Sequence, residues 1–580
     1  MNRALQGLHV GNFKAFADTQ RIPIKPITLI FGANSAGKSS FIHSLALAHE
    51  AQFGREKRNL ARLDVHHTDV GGSAIDLGGF RQYVHRGQLN KRVEWGAELK
   101  VNALAGNKDQ RIAKWLAPVN TVALNIALGM ELDDQDRPIS GVEPRVDSIE
   151  IIADGTELLR MSRRPTAVQL AHHEGEYLRV DRLASDHPVF QEVLKAIIEA
   201  QTTSEEMRPE DVKAANEGIA EWLPELLVRV DQFFPSGVEL PKAVTSDLSS
   251  ANMLFPVSKG NRQEDIAHAV RLVLPRMLND LIKGLALAVG DQLKQLQYLG
   301  PLRSFPPRHV SFVEHEDANW YAGGGYAWDV VRRDDKVRET VNSWLGSNKL
   351  KTPYKLVVRS LLALDDLQTP LEEGLEKLQS DGLEVELDYD DDDASPIGAY
   401  SVIKDVEAAA LDILKELNMS DADRIRELVL VDQRTNTVVT HRDVGIGISQ
   451  VLPVLVMAYG SKGKLLAMEQ PEIHLHPALQ AELGDVFIES ALGDRKNTFI
   501  LETHSEHLIL RIMRRMRETH LGKATGLPPI TPQDVSVLYV EPDGTHSIVR
   551  EMPLNELGEL VKSWPGGFFE EGFREQFGDS

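Results

Sequence analysis

The stretch Gly32-Ala33-Asn34-Ser35-Ala36-Gly37-Lys38-Ser39 combines residue types and a spacing that prescribe a chemistry. It fits G-x-x-x-x-G-K-[ST], in which glycines let the backbone curl until successive N–H groups and the start of the next helix, opened here by Ser40, face phosphate oxygens. Lys38 then reaches the β- and γ-phosphates, and the hydroxyl of Ser39 ligates magnesium. The pattern has this meaning only between a strand and a helix. The apolar run Ile27-Thr28-Leu29-Ile30-Phe31 before it and the helix-like residues 40–49 after it supply both. A nucleotide-binding site is therefore expected, rather than a chance glycine-rich turn.

A second informative region covers residues 443–510. Asp443-Val444-Gly445-Ile446-Gly447-Ile448-Ser449-Gln450 sets glycines and a serine ahead of an apolar helix over 451–459, another anion-ready N-terminus. An apolar strand from Lys464 then ends in Glu469-Gln470-Pro471-Glu472, which places acidic residues where magnesium would be held opposite the glycine loop. A further apolar strand, Thr498-Phe499-Ile500-Leu501-Glu502, runs into Thr503-His504-Ser505. Alone, a histidine at a strand end is an ordinary capping or core residue. His474 and His476, two apart, point to different sides of the chain and have no evident third ligand, so they read as packing or interface residues rather than a metal site.

The elements that must position these groups follow from periodicity. Residues 5–31 read as short strands, and alternation between residues 93 and 180, with turns at Asp154-Gly155 and Glu174-Gly175, predicts strands and hairpins. Three- and four-residue apolar spacing predicts helices over 189–200, 211–234 and 265–297. Residues 300–350 are irregular and rich in glycine and aromatics. The acidic run 384–393 lacks the ligand spacing and central glycine of a calcium loop and reads as a solvated turn. A helix over 406–417 and strands over 427–432 and 437–441 follow.

Composition narrows the function classes. A chain of 580 residues exceeds one ordinary core, and its 42% apolar and 26% charged content is that of a globular protein. The net charge of -22 argues against bulk attraction to DNA or anionic lipid. Local basic clusters, Arg55 to Arg58 with Arg62 and Arg511, Arg514, Arg515 and Arg517, are read as solvated helix faces, with DNA contact as the competing reading. The chain has no cysteine, which excludes disulfides, thiol catalysis and cysteine-bound metals. No signal-like start and no apolar run of roughly 18 residues is present, so a cytoplasmic protein without membrane contact is expected.

Together, the loop at 32–39, Tyr298-Leu299-Gly300-Pro301-Leu302-Arg303, the stretch 443–453, EQPEIHLHP at 469–477 and ETHSEHL at 502–508 resemble ABC-class ATPase heads of the SMC and RecF type. In particular they resemble bacterial "AAA" ATPases related to OLD proteins and to ATPases of antiphage systems. The tail from Ser563 through Trp564-Pro565-Gly566-Gly567-Phe568-Phe569 resembles a C-terminal domain of unknown function that accompanies some of them. The resemblance implies an α/β fold, an ABC-type P-loop head built from both chain ends around a mixed, partly helical insertion. The expected divisions are an N-terminal lobe (1–100), a strand-rich extension (101–185), a mostly helical insertion (186–425), a C-terminal lobe (426–520) and the C-terminal domain (521–580).

By the same resemblance, ATP lies between the P-loop of one subunit and the signature helix of another, which implies a head-to-tail homodimer. Gly32, Asn34, Ser35, Ala36, Gly37, Lys38, Ser39 and Ser40 would cradle ATP, Ser39 and Glu469 would hold magnesium, Gly447 and Ser449 would meet the γ-phosphate across the interface, and His504 would sense it. Gln82 or Gln88 would link magnesium to a neighbouring domain, against the plainer reading of a surface glutamine. Gln470 departs from the family pattern, because an amide cannot accept the proton of an attacking water. It can still orient water, or Glu472 can serve as the base, so slow or partner-stimulated hydrolysis is expected. About 70 residues follow ETHSEHL, without the acidic spacing of an OLD nuclease domain, so no nuclease activity is expected. Three roles fit: a defence-system ATPase controlling a separately encoded effector, a RecF-like DNA-repair or clamping ATPase, and a nucleotide-gated scaffold with little hydrolysis.

Overall fold

The computed structural model describes residues 3–54, 63–104, 110–163, 176–201, 208–239, 261–303, 318–346, 349–361, 425–439 and 446–565. The acidic run 384–393, the helix expected over 406–417, the cluster at Arg55 to Arg58 with Arg62, and the tail from Gly566 lie outside them. The chain divides into two units. One holds Met1–Ser304, Glu316–Ala327 and Ile446–Ser580, and the other holds Phe305–His315 and Trp328–Gly445.

In the larger unit, β1 (Leu5–Gly11) and β2 (Gln20–Pro23) form a hairpin, and β3 (Ile27–Gly32) leads into the glycine loop and the helix Ser40–Phe53. Strands β4 (Val93–Lys100), β5 (Thr121–Gly129), β6 (Arg145–Ala153), β7 (Thr156–Ser162), β8 (Glu176–Leu183), β9 (Leu227–Val230) and β10 (Pro235–Glu239) follow. With β1 and β2 they make a nine-stranded sheet in the order β10-β9-β8-β7-β6-β5-β4-β1-β2, every pair antiparallel. The alternation read from the sequence appears as alternating burial, for example along β6.

The expected helix over 211–234 is shorter than its periodicity suggested. It ends at Trp222, a short turn carries Pro224, and the chain re-enters the sheet as β9. Phe233 then packs edge-on, and Phe234 tilted, against Trp95 of β4, so tertiary packing overrides helical spacing. The helices Pro188–Gln201, Pro209–Trp222 and Arg262–Leu293 all fall within this larger unit, so the expected boundary at 185 runs through it.

The second sheet carries the glycine loop. β11 (Leu296–Leu299), β15 (Leu465–Glu469), β16 (Thr498–Glu502), β17 (Val535–Asp543) and β18 (His546–Glu551) join β3 in the order β11-β15-β16-β3-β17-β18. The first five strands in that order are parallel, and β18 closes the edge antiparallel. Every residue of β3 and β15 is buried, as expected of parallel strands covered on both faces. β17 pairs directly with the P-loop strand, so residues after 521 help complete the nucleotide sheet. The smaller unit has an antiparallel sheet of β12 (Tyr354–Leu361), β13 (Ile425–Asp432) and β14 (Thr437–Val439). Among the described residues no helix is long and apolar enough to cross a membrane.

The basic helix Glu506–His520 spends its charge within the chain. Asp485, 1% exposed on the neighbouring helix Pro477–Leu492, accepts three bonds from Arg511 and Arg515 at 2.6–2.8 Å. Arg514 pairs with Glu518, and Arg517 donates to the Leu557 carbonyl. Truncating Asp485 to alanine leaves Arg511 with Glu482 and Arg515 with Glu518 and should cost about 1–2 kcal/mol. A urea-denaturation midpoint within error of the parent would show that this pairing does not hold the two helices.

Candidate functional site

The site lies at the carboxyl ends of β15, β16 and β3, the edge at which parallel α/β sheets bind ligands. Two glycines shape the loop. Gly32 has φ +147°, and a Cβ there would collide with the Val540 carbonyl of β17; Gly37 has φ +92° and faces Ala15. Asn34 and Ser35 are exposed, while Ala36 and Ser40 are buried beneath them. The backbone N–H groups of Asn34, Ser35, Gly37, Lys38 and Ser39 have no hydrogen-bond partner among the described residues, which is the cradle a polyphosphate requires. Lys38 is 4% exposed and donates to the carbonyls of Gly32 at 3.1 Å and Ala33 at 2.9 Å. Burial lowers its pKa, which Glu502 and Glu469 oppose.

The register sets Glu469 beside Glu502 on adjacent strand ends. Glu469 is held by the Tyr298 hydroxyl at 3.0 Å, and His43 Nε2 stands 3.6 Å away. His43 Nδ1 lies 2.6 Å from Lys14 Nζ, so the neutral ring accepts there and keeps its proton on the side of Glu469. Burial lowers both pKa values, that of Lys14 to about 8. Ser39 Oγ donates to Glu502 Oε2 at 2.6 Å, and Lys38 Nζ is 4.0 Å from Glu502 Oε1. Burial, reinforced by Glu469, pushes the Glu502 carboxyl up to about 7. A serine hydroxyl and two carboxylates are hard oxygen donors, a set that suits magnesium.

The remaining expected residues sort by contact. Gln470 has φ +46°; its N–H donates to the Glu502 carbonyl at 2.7 Å, and its side chain makes no hydrogen bond among the described residues. Glu472 is 6% exposed and accepts the His504 N–H at 2.7 Å, tying two strand ends together; burial raises its pKa. Burial, followed by the charge of Lys38, lowers that of His504, so its ring is held neutral near the loop. Gly447 opens the helix Ile446–Gly460 and packs within the chain, where a Cβ would stand 2.9 Å from the His474 carbonyl. Ser449 is 2% exposed, so as folded it faces this unit's interior rather than a partner's phosphate. His476 caps the helix Pro477–Leu492 through Ala478 N–H. Gln82 is exposed, Gln88 keeps a buried unpaired Oε1, and neither bonds to Ser39 or Glu469.

Sequence reasoning gave no role to Glu502, His43, Lys14 or Arg303. Arg303 is buried and donates to the Gln450 carbonyl at 2.8 Å and the Gln470 carbonyl at 2.9 Å, joining the helix Ile446–Gly460 to the residue after β15. Burial pushes its pKa down to about 10. For Glu502 a signal existed: both apolar strands end in glutamate, and parallel pairing of equal-length strands sets the two side by side.

Residues 295–511 match a family described as "AAA domain, putative AbiEii toxin, Type IV TA system", and residues 530–576 match a "protein of unknown function (DUF3696)". No curated protein matches the sequence. Among solved structures, an Smc head bound to the C-winged helix domain of ScpA is 9% identical, covering 95% of this chain and 99% of that one, with a TM-score of 0.32. The SMC head domain from Thermotoga maritima is 7% identical, covering 95% and 100%, with a TM-score of 0.31. Superposition at this level is slight, and the fold rests instead on strand order, glycine loop and family match. On that footing the chain has an α/β fold whose mostly parallel sheet carries the glycine loop at the end of β3 and draws strands from both parts of the chain, and it resembles an AAA domain over residues 295–511.

Proposed function

We propose that this chain binds ATP with magnesium and hydrolyses it slowly, as the nucleotide-switched regulatory subunit of an antiphage defence system whose toxic activity resides in a separately encoded effector. The observation that carries the ATP reading is the loop whose N–H groups have no partner among the described residues, with buried Lys38 4.0 Å from Glu502, and Glu469 on the adjacent strand end. The family description, with its reference to a toxin of a toxin–antitoxin system, supports the defence reading. Slow turnover follows from Gln470, which has no proton-accepting group, and from Glu472, which is buried and holds the His504 N–H with one of its oxygens. Assembly is proposed as a homodimer, with Gly447 at the end of the signature helix facing the partner's nucleotide. Exposure of Ser449 would then require that helix to move on assembly. The DNA-clamping alternative is weakened by the self-paired arginines of Glu506–His520.

The test is light scattering and ATP turnover on one sample, with and without duplex DNA, beside a Lys38→Ala control. Lys38-dependent turnover that ignores DNA supports the proposal, whereas turnover stimulated severalfold by DNA replaces it with the clamping reading. Binding without measurable hydrolysis, even with neighbouring gene products added, would leave a gated scaffold. A smaller effect is expected at Tyr298. Tyr298→Phe removes the hydroxyl that holds Glu469 and should weaken magnesium affinity about tenfold, read by titrating the metal into the nucleotide complex.

A further inference from the structure

We infer that Glu502 is a magnesium ligand beside Ser39, so that this site holds its metal with a carboxylate from the strand next to the P-loop as well as with Glu469. The inference rests on the ATP reading above and extends it to a residue outside the expected set.

Topology comes first. β16 lies between β15 and β3, so Glu502 stands one strand from the P-loop strand and Glu469 stands two, at roughly 4.8 Å per strand. Contact agrees with position. Glu502 Oε2 is 2.6 Å from Ser39 Oγ, the hydroxyl that a P-loop gives to magnesium. Neighbouring ligands of one octahedral magnesium, each about 2.1 Å from it, stand about 3 Å apart, so a small opening of this pair admits the ion. Of the other acidic side chains at these strand ends, Glu472 accepts the His504 N–H with Oε1, and Glu469 is held through Oε1 by Tyr298 and His43 while its strand end still faces the loop.

Charge completes the argument. Glu469 and Glu502 end adjacent strands, each less than a tenth exposed, and Lys38 Nζ stands 4.0 Å from Glu502. Two buried carboxylates beside a polyphosphate repel one another and the ligand unless a divalent cation stands between them. The plain alternative is that Glu502 only braces Ser39 and Lys38. The two readings differ in sign. A brace, when removed, weakens nucleotide binding under all conditions, whereas a metal ligand, when neutralised, relieves repulsion without metal and loses affinity for metal.

The experiment uses the full chain, a fluorescent ATP analogue and manganese as a paramagnetic probe, with wild type, Glu502→Gln, Glu502→Asp and Lys38→Ala. In EDTA, Glu502→Gln should bind the analogue a fewfold tighter than wild type. With the analogue saturating, its manganese Kd by electron paramagnetic resonance should rise on the order of tenfold, about 1.4 kcal/mol. Glu502→Asp keeps the charge on a shorter arm and should fall between the two. An unchanged manganese Kd, or a parallel fall of binding in EDTA and in manganese, overturns the metal role while leaving ATP binding intact. If wild type fails to bind the analogue under either condition, the ATP reading itself falls, and this inference falls with it.

Discussion

Lys38→Ala should raise the Kd for ATP about 100-fold, roughly 3 kcal/mol, because it removes the cation expected at the phosphates and the two bonds that hold the loop's own carbonyls. Lys38 reaches Gly32 and Ala33 from inside the curl, so its loss affects both the charge and the shape of the cradle. Lys38→Arg should recover little, since a planar guanidinium needs more room than the enclosed ammonium occupies. Isothermal titration would decide the matter: a variant within threefold of wild type would place the nucleotide elsewhere.

The second large effect is expected at Arg303. Its guanidinium donates to carbonyls of Gln450 and Gln470, and the Gln450 amide approaches the Arg303 carbonyl in return at 3.4 Å. Arg303→Met removes a charge-assisted donor from each carbonyl, that of Gln470 keeping the Ile473 N–H, at about 1.5 kcal/mol each. The expected result is a loss of about 3 kcal/mol in a denaturant titration, with ATP turnover falling further than stability accounts for. Arg303→Lys can satisfy one carbonyl but not both and should restore about half. If both variants unfold and turn over ATP as wild type does, the helix Ile446–Gly460 and β15 are not joined through this residue.

Sequence reading succeeds where a motif is local and fails where partners are remote. The loop at 32–39 needs only its own eight residues and flanking apolar runs, and it stands in the structure between a strand and a helix. Hairpins between β5 and β8 were legible because alternation and turns lie within one short window. The pairing of Asp485 with Arg511 and Arg515 depends on two helices meeting, so a basic stripe that looked available to a partner is already neutralised. The Tyr298, His43 and Glu469 group draws on three separated segments, and no spacing rule announces it. The helix that ends at Trp222 shows the same limit in secondary structure, since it is the contact of Phe233 and Phe234 with Trp95 that decides against helix there.

Placing β3 between β16 and β17 also dictates when the site can exist. On a ribosome the P-loop strand emerges early, but both of its neighbours, Thr498–Glu502 and Val535–Asp543, emerge near the end of this chain. At about 5–20 residues per second the interval is roughly half a minute or more, during which the antiparallel sheet β1, β2 and β4–β10 can close on contiguous sequence. The P-loop strand must wait beside it with both edges unpaired. Nascent or prematurely released chains lacking β16 and β17 therefore carry the glycine loop without the strands that flank it, so translation itself delays completion of this sheet.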